Sequence, residues 1–154
     1  MFDVKPITTP HRTACGPACL AMLLAWYGRP AELADLIREC GVTVTGCKAS
    51  DVLRVGRAHG LTAMAAYDED AAALLRQDRP AIIWWKGTHF VVFCGLNADG
   101  EPVICNPSSG RFPLSLDAFE RFYSGVALCN GWPADLPPED YFGEHAEVPD
   151  YFNH

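Results

Sequence analysis

The chain has 154 residues, 49% hydrophobic and 20% charged, which suits one domain with a core of its own. A formal net charge of −7 argues against nucleic acid as the main partner. The longest apolar runs, Leu20 to Tyr27 and Ala81 to Trp85, fall short of the roughly 20 residues a membrane helix needs. Met1 to Pro6 lacks the basic-then-apolar pattern of a signal peptide, so a cytoplasmic location is the default expectation.

Cys15-Gly-Pro-Ala-Cys-Leu-Ala-Met opens the first predicted helix, Cys15 to Tyr27. Cys19, Met22, Leu23 and Trp26 mark a buried stripe at helical spacing, and Gly28 is its stop. Further helices are expected over 31–40, behind Pro30, and over 49–59, closed by Gly60. A short strand over 61–66 leads to a helix capped by Asp68 and ending near Gln77. The period then changes. Strands are expected over 80–85, 88–96 and 101–105, the last two joined by the hairpin turn Asn97-Ala98-Asp99-Gly100. Arg111 to Leu114 is a further candidate strand, Ser115 caps a helix to Phe122, and Gly125 to Cys129 is the final strand. Helices first and an antiparallel sheet second read as α+β.

Composition divides the chain into a domain over 1–129 and an extension over 130–154. The extension holds Asp135, Glu139, Asp140, Glu144, Glu147 and Asp150, and no Lys or Arg follows Arg121. Its prolines break regular structure, while its aromatics are expected to pack on the domain or dock on a partner. The seven cysteines show no zinc-finger spacing with histidine, so no metal and no cofactor is expected.

A thiol at a helix mouth meets unpaired amides and the positive end of the helix dipole, which favour thiolate. Cys15 is therefore the candidate nucleophile. Such a nucleophile needs an imidazole base, and the imidazole needs a third group to fix it. Of the five histidines, His89 is the best placed, because it opens the strand His89-Phe-Val-Val-Phe after Lys86-Gly87-Thr88. The hairpin returns Asn106 to the same end of the sheet, and Pro107 keeps Asn106 extended. Cys15, His89 and Asn106 form a candidate Cys-His-Asn set.

These segments, with Tyr27-Gly28 and the Asn106-Pro107-Ser-Ser-Gly turn, resemble the bacteriocin-processing cysteine peptidases. Those are the papain-like domains of ABC transporters that cut leaders after a double glycine. The resemblance spans about Thr9 to Cys129. It implies a papain-like half-fold, with N-terminal helices packed on an antiparallel sheet and the active site between the first helix and the sheet. It assigns Cys15 as nucleophile, His89 as general base and acid, and Asn106 as orienter. The implied substrate is a precursor peptide cut after Gly-Gly or Gly-Ala. A narrow slot would select those small residues, with Gly16, Trp26, Trp84, Trp85 and Phe90 as candidate slot residues.

Two positions depart from the family. It usually has Asp where Asn106 stands, and its oxyanion Gln lies six residues before the nucleophile, where this chain has Thr9. Gln77 is the sole glutamine. Thr9 and the Cys15 backbone amide are thus the oxyanion-hole candidates, with Thr8, His11 and Thr13 as further donors. Loss of an oxyanion donor costs on the order of 10²–10³ in rate. The sequence shows no counterpart of the transporter's membrane and ATPase parts. A standalone peptidase is expected, or one working beside a separate ABC exporter at the inner membrane. Two alternatives stay open: a peptidase-like module that binds a leader or exporter, and a thiol acyl-transferase on the same scaffold.

Overall fold

Helix α1, Cys15–Trp26, is buried along Cys15 to Leu24 in the computed structural model, which describes residues 1–68, 70–86 and 89–131. The predicted single stripe is therefore too narrow. Leu20, Leu23 and Leu24 are fully buried in one cluster with Leu36, Val52, Trp84, Phe90 and Val92. Their elements are α2 (Leu33–Glu39), α3 (Ala49–Ala58), β2 (Ala81–Trp85) and β3 (His89–Leu96). Each fully buried Leu contributes about 1.5–3 kcal/mol, so α1 is held by packing on all sides.

The remaining strands are β1 (Met64–Asp68), β4 (Pro102–Asn106), β5 (Gly110–Pro113) and β6 (Tyr123–Asn130). They form one sheet in the order β1-β6-β2-β3-β4-β5, with every pairing antiparallel. Its second face is covered by α4 (Ala71–Leu75) and α5 (Leu116–Phe122), through Leu74 and Phe119 against Ile83, Val91 and Phe93. Covered on both faces, β3 reads as a nearly continuous apolar run. This is the expected α+β arrangement, with α1 to α3 on one face of an antiparallel sheet and two short helices added on the other.

Two caps bear on the predicted boundaries. Ser115 Oγ accepts from the Ala118 amide at 3.1 Å and starts α5 as expected. Asp68 does not cap α4; it lies in β1 opposite Val126, and Asp70 caps instead, accepting from the Ala73 amide at 2.7 Å. The strand begins three residues later than expected because Leu61 to Ala63 still belong to the turn after α3. The β3–β4 hairpin forms as predicted. Asn97 Oδ1 accepts from the Asp99 and Glu101 amides, and Gly100 takes the positive φ the turn demands.

The N-terminal segment lies across β3 to β5. The Phe2 amide donates to the Cys94 carbonyl at 2.8 Å, and Arg111 Nη1 donates to the Val4 carbonyl at 3.1 Å. All seven cysteines are buried, with the Cys94 and Cys105 sulfurs 3.3 Å apart. The expected packing or docking of the acidic extension falls on 132–154, outside the described residues.

Candidate active site

The first turn of α1 places Cys15. A single 3-10 turn, Arg12–Ala14, precedes it, and the Cys15 amide donates back to the Arg12 carbonyl. Pro17 sits in the first helical turn, where no intrahelical donor is lost. Gly16 lets the helix mouth close on its neighbours. A Cβ there would stand 3.1 Å from Val52 Cγ2, 3.2 Å from Cys47 Sγ and 3.4 Å from Phe90 Cδ2.

Cys15 is only 2% exposed, and its thiol meets the main-chain amide of Phe90, the residue after His89. Burial pushes the thiol pKa up. The Phe90 and Gly16 amides and the Arg12 charge pull it down without offsetting the burial. The helix-mouth argument predicts ready ionisation; desolvation outweighs it and pushes the thiol above its ordinary range. Its chemistry therefore depends on a base taking the proton.

His89 opens β3 opposite Trp85 and is 8% exposed. It lines a cavity of about 410 Å³ with Thr9, Pro10, Arg12, Trp85 and Ser108. Asn106 ends β4, at the end of the sheet where β3 begins. Its Oδ1 accepts from the Ser108 amide at 2.8 Å, and its carbonyl accepts from the Ser109 amide at 3.1 Å. The side chain is thus fixed by its own turn. An amide oxygen has a second lone pair with which to accept from an imidazole N–H.

Thr9 reaches the cleft because its amide donates to the Pro107 carbonyl at 2.9 Å, tying its segment to the turn that carries Ser108. Its hydroxyl oxygen accepts from the His11 amide at 3.2 Å. The Cys15 main-chain amide, the other oxyanion candidate, is engaged within the fold by the Arg12 carbonyl, whereas the Thr9 hydroxyl accepts from His11 and keeps its own O–H to donate.

The slot candidates separate. Trp85 lines the cleft, and its ring stacks on Phe122 with centroids 5.4 Å apart. Trp84 points the other way, edge-on to Phe90 at 4.9 Å, and both lie in the core beneath α1. Gly16 faces Val52 and Cys47. Trp26 lies at the far end of α1, about 16 Å along the axis from Cys15, against Phe2 and Tyr27. Arg12 and Ser108 join the cleft without having been singled out in the sequence. Arg12 is one short turn before Cys15 and Ser108 follows Asn106-Pro107, so adjacency to the motifs was the available signal. Among the described residues, no His, Cys, Asp or Glu cluster could hold a metal, and no helix is long and apolar enough to cross a membrane.

The profile of the Peptidase C39 family matches residues 3–131. Two Escherichia coli proteins, the probable microcin-H47 secretion/processing ATP-binding protein MchF and the colicin V secretion/processing ATP-binding protein CvaB, are each 28% identical over 130 residues. The match takes 83% of this chain and 18% of each relative, so the chain spans under a fifth of their length. Among solved structures, a double glycine motif protease from an AMS/PCAT transporter, in complex with its leader peptide, superposes with a TM-score of 0.74. It shares 29% identity over 82% of this chain and 89% of that one. The peptidase domain of Streptococcus ComA has the same fold, with a TM-score of 0.71 at 22% identity over 82% of this chain and 96% of its own.

Proposed function

This chain belongs to the peptidase C39 family, and we propose that it is a cysteine endopeptidase that removes the leader from a ribosomally made precursor after a double glycine. One observation carries the reading. The α1 mouth sets the Cys15 thiol against the Phe90 amide, one residue from His89, and His89 lines an open cleft. The double-glycine substrate is supported by the leader-bound relative, and a separate ABC exporter as partner by the two secretion/processing relatives. Work beside an exporter would place the protein on the cytoplasmic side.

In this mechanism His89 accepts the Cys15 proton and the thiolate attacks the carbonyl carbon of the last leader glycine. Negative charge gathers on the carbonyl oxygen. As the C–N bond breaks, the imidazolium returns the proton to the leaving amine and leaves a thioester on Cys15. Water, deprotonated by His89, then releases the leader acid. Asn106, fixed by the Ser108 amide, orients the imidazole, and Trp85 on Phe122 narrows the cleft so that small residues enter.

Incubation with a synthetic precursor bearing a Gly-Gly leader tests the reading. Mass spectrometry should show a single cut after the second glycine, abolished in Cys15→Ala and His89→Ala. No cut under reducing conditions would refute it. The buried thiol with its raised pKa favours one other reading, a leader-binding module with little turnover; binding without cleavage would establish it.

A further inference from the structure

Thiol acyl transfer passes through two anions, the thiolate and the tetrahedral oxyanion, and the second must be met by a preorganised donor. Two main-chain donors near Cys15 are already used, and the Thr9 hydroxyl in the same cleft is a neutral donor. The Cys15 amide bonds to the Arg12 carbonyl, and the Thr9 amide bonds to the Pro107 carbonyl. Among the described residues, one arginine lines the cleft and no lysine does. Arg12 stands on the 3-10 turn three residues before Cys15, in the same cavity wall as Thr9 and His89.

Its position in the cleft wall sets it apart from the other arginines, none of which lines that cavity. Arg38, Arg54, Arg79 and Arg121 each pair with a carboxylate. Among the described residues, Arg12 has no such partner, although it is exposed beside a polar cleft. Its charge also acts on Cys15, drawing the thiol pKa down against burial. A guanidinium offers five donors in a planar fork, and charge-assisted bonds to an oxyanion are about twice as strong as neutral ones.

We propose that Arg12 is a catalytic residue, its guanidinium donating to the carbonyl oxygen of the scissile peptide as negative charge develops there. This rests on the peptidase reading. The cation does in this chain what a neutral side-chain amide or a spare main-chain N–H does elsewhere. It is reached from solvent, so it meets the substrate as the substrate enters.

The test compares wild type, Arg12→Met and Arg12→Lys on the Gly-Gly precursor. In parallel, the pH profile of Cys15 alkylation by iodoacetamide is followed by peptide mapping. Arg12→Met should lower kcat on the order of 10²-fold with KM within about threefold. Arg12→Lys, which keeps the charge, should recover most of that loss. The alkylation midpoint should rise in Arg12→Met, which removes the charge that lowers the thiol pKa, and stay at the wild-type value in Arg12→Lys. An Arg12→Met enzyme with wild-type kcat, or a loss confined to KM, would overturn the proposal; the second would make Arg12 a substrate anchor. If the wild type cuts nothing, the peptidase reading fails. A wild type that cuts while Arg12→Met cuts equally well overturns the Arg12 role alone.

Discussion

Gly16→Ala should weaken both the fold and the active site, although alanine is the better helix former. In a free helix the exchange gains up to about 1 kcal/mol. Here the new Cβ would sit 3.1 Å from Val52 Cγ2, 3.2 Å from Cys47 Sγ and 3.4 Å from Phe90 Cδ2. These three atoms belong to α3, the loop before it and β3, so no single side chain can move to relieve all of them. Val52 is stiff at χ1, and Phe90 is wedged against Trp84. Overpacking of this kind costs about 1–3 kcal/mol, which exceeds the propensity gain. The net loss should be about 1–2 kcal/mol and lower Tm by about 3–6 °C. The relief available is a retreat of the α1 mouth from β3, which carries Cys15 away from His89. Misplacement of a reacting group by about 1 Å can cost 10²-fold, so kcat on the precursor should fall at least tenfold. Thermal melting by circular dichroism and a steady-state assay check both. Unchanged or raised Tm with full activity would show that the mouth of α1 is not pressed on β3 as described.

Asn106→Asp keeps an acceptor for the Ser108 amide and should retain kcat within about tenfold, whereas Asn106→Ala should lose on the order of 10²-fold, read by the same assay. Because burial raises the Cys15 pKa, its alkylation by iodoacetamide should keep rising through the ordinary thiol range; a plateau reached below pH 7 would reveal a preformed thiolate and contradict the raised pKa. Ser115→Ala removes the α5 cap, whose Oγ accepts from the Ala118 amide, and should cost about 1 kcal/mol in a denaturant melt.

Most elements are legible in the sequence because their signals are local. The hairpin turn at Asn97 to Gly100, the Gly28 stop after α1 and the Ser115 cap of α5 need only a few neighbouring residues. What escaped depends on distant pairing. Nothing near Asp68 shows that it pairs with Val126, so the local sequence does not single out Asp70 as the cap. The α1 stripe looked one-sided because the burial of its other flanks comes from Val4, Leu36 and Val52, which are remote in the chain. The run Ala81 to Trp85 is apolar throughout, so periodicity could not say which tryptophan meets the cleft. The motif residues Cys15, His89 and Asn106 stood out chemically, but the burial that raises the Cys15 pKa exists only once β3 covers it. Arg12 has no periodic signature and becomes visible when the cleft is closed by Thr9 and Ser108.

The central claim is that Cys15 and His89 work as one nucleophilic centre. It is tested most directly by a leader peptide ending in a Gly-Gly chloromethyl ketone, whose chloride the attacking thiolate displaces to leave a stable thioether, followed by intact mass spectrometry and peptide mapping. A single adduct should form, on Cys15 alone among the seven cysteines, and His89→Ala should slow its formation at least tenfold at pH 7. An adduct on another cysteine, or equal labelling rates with and without His89, would contradict the account.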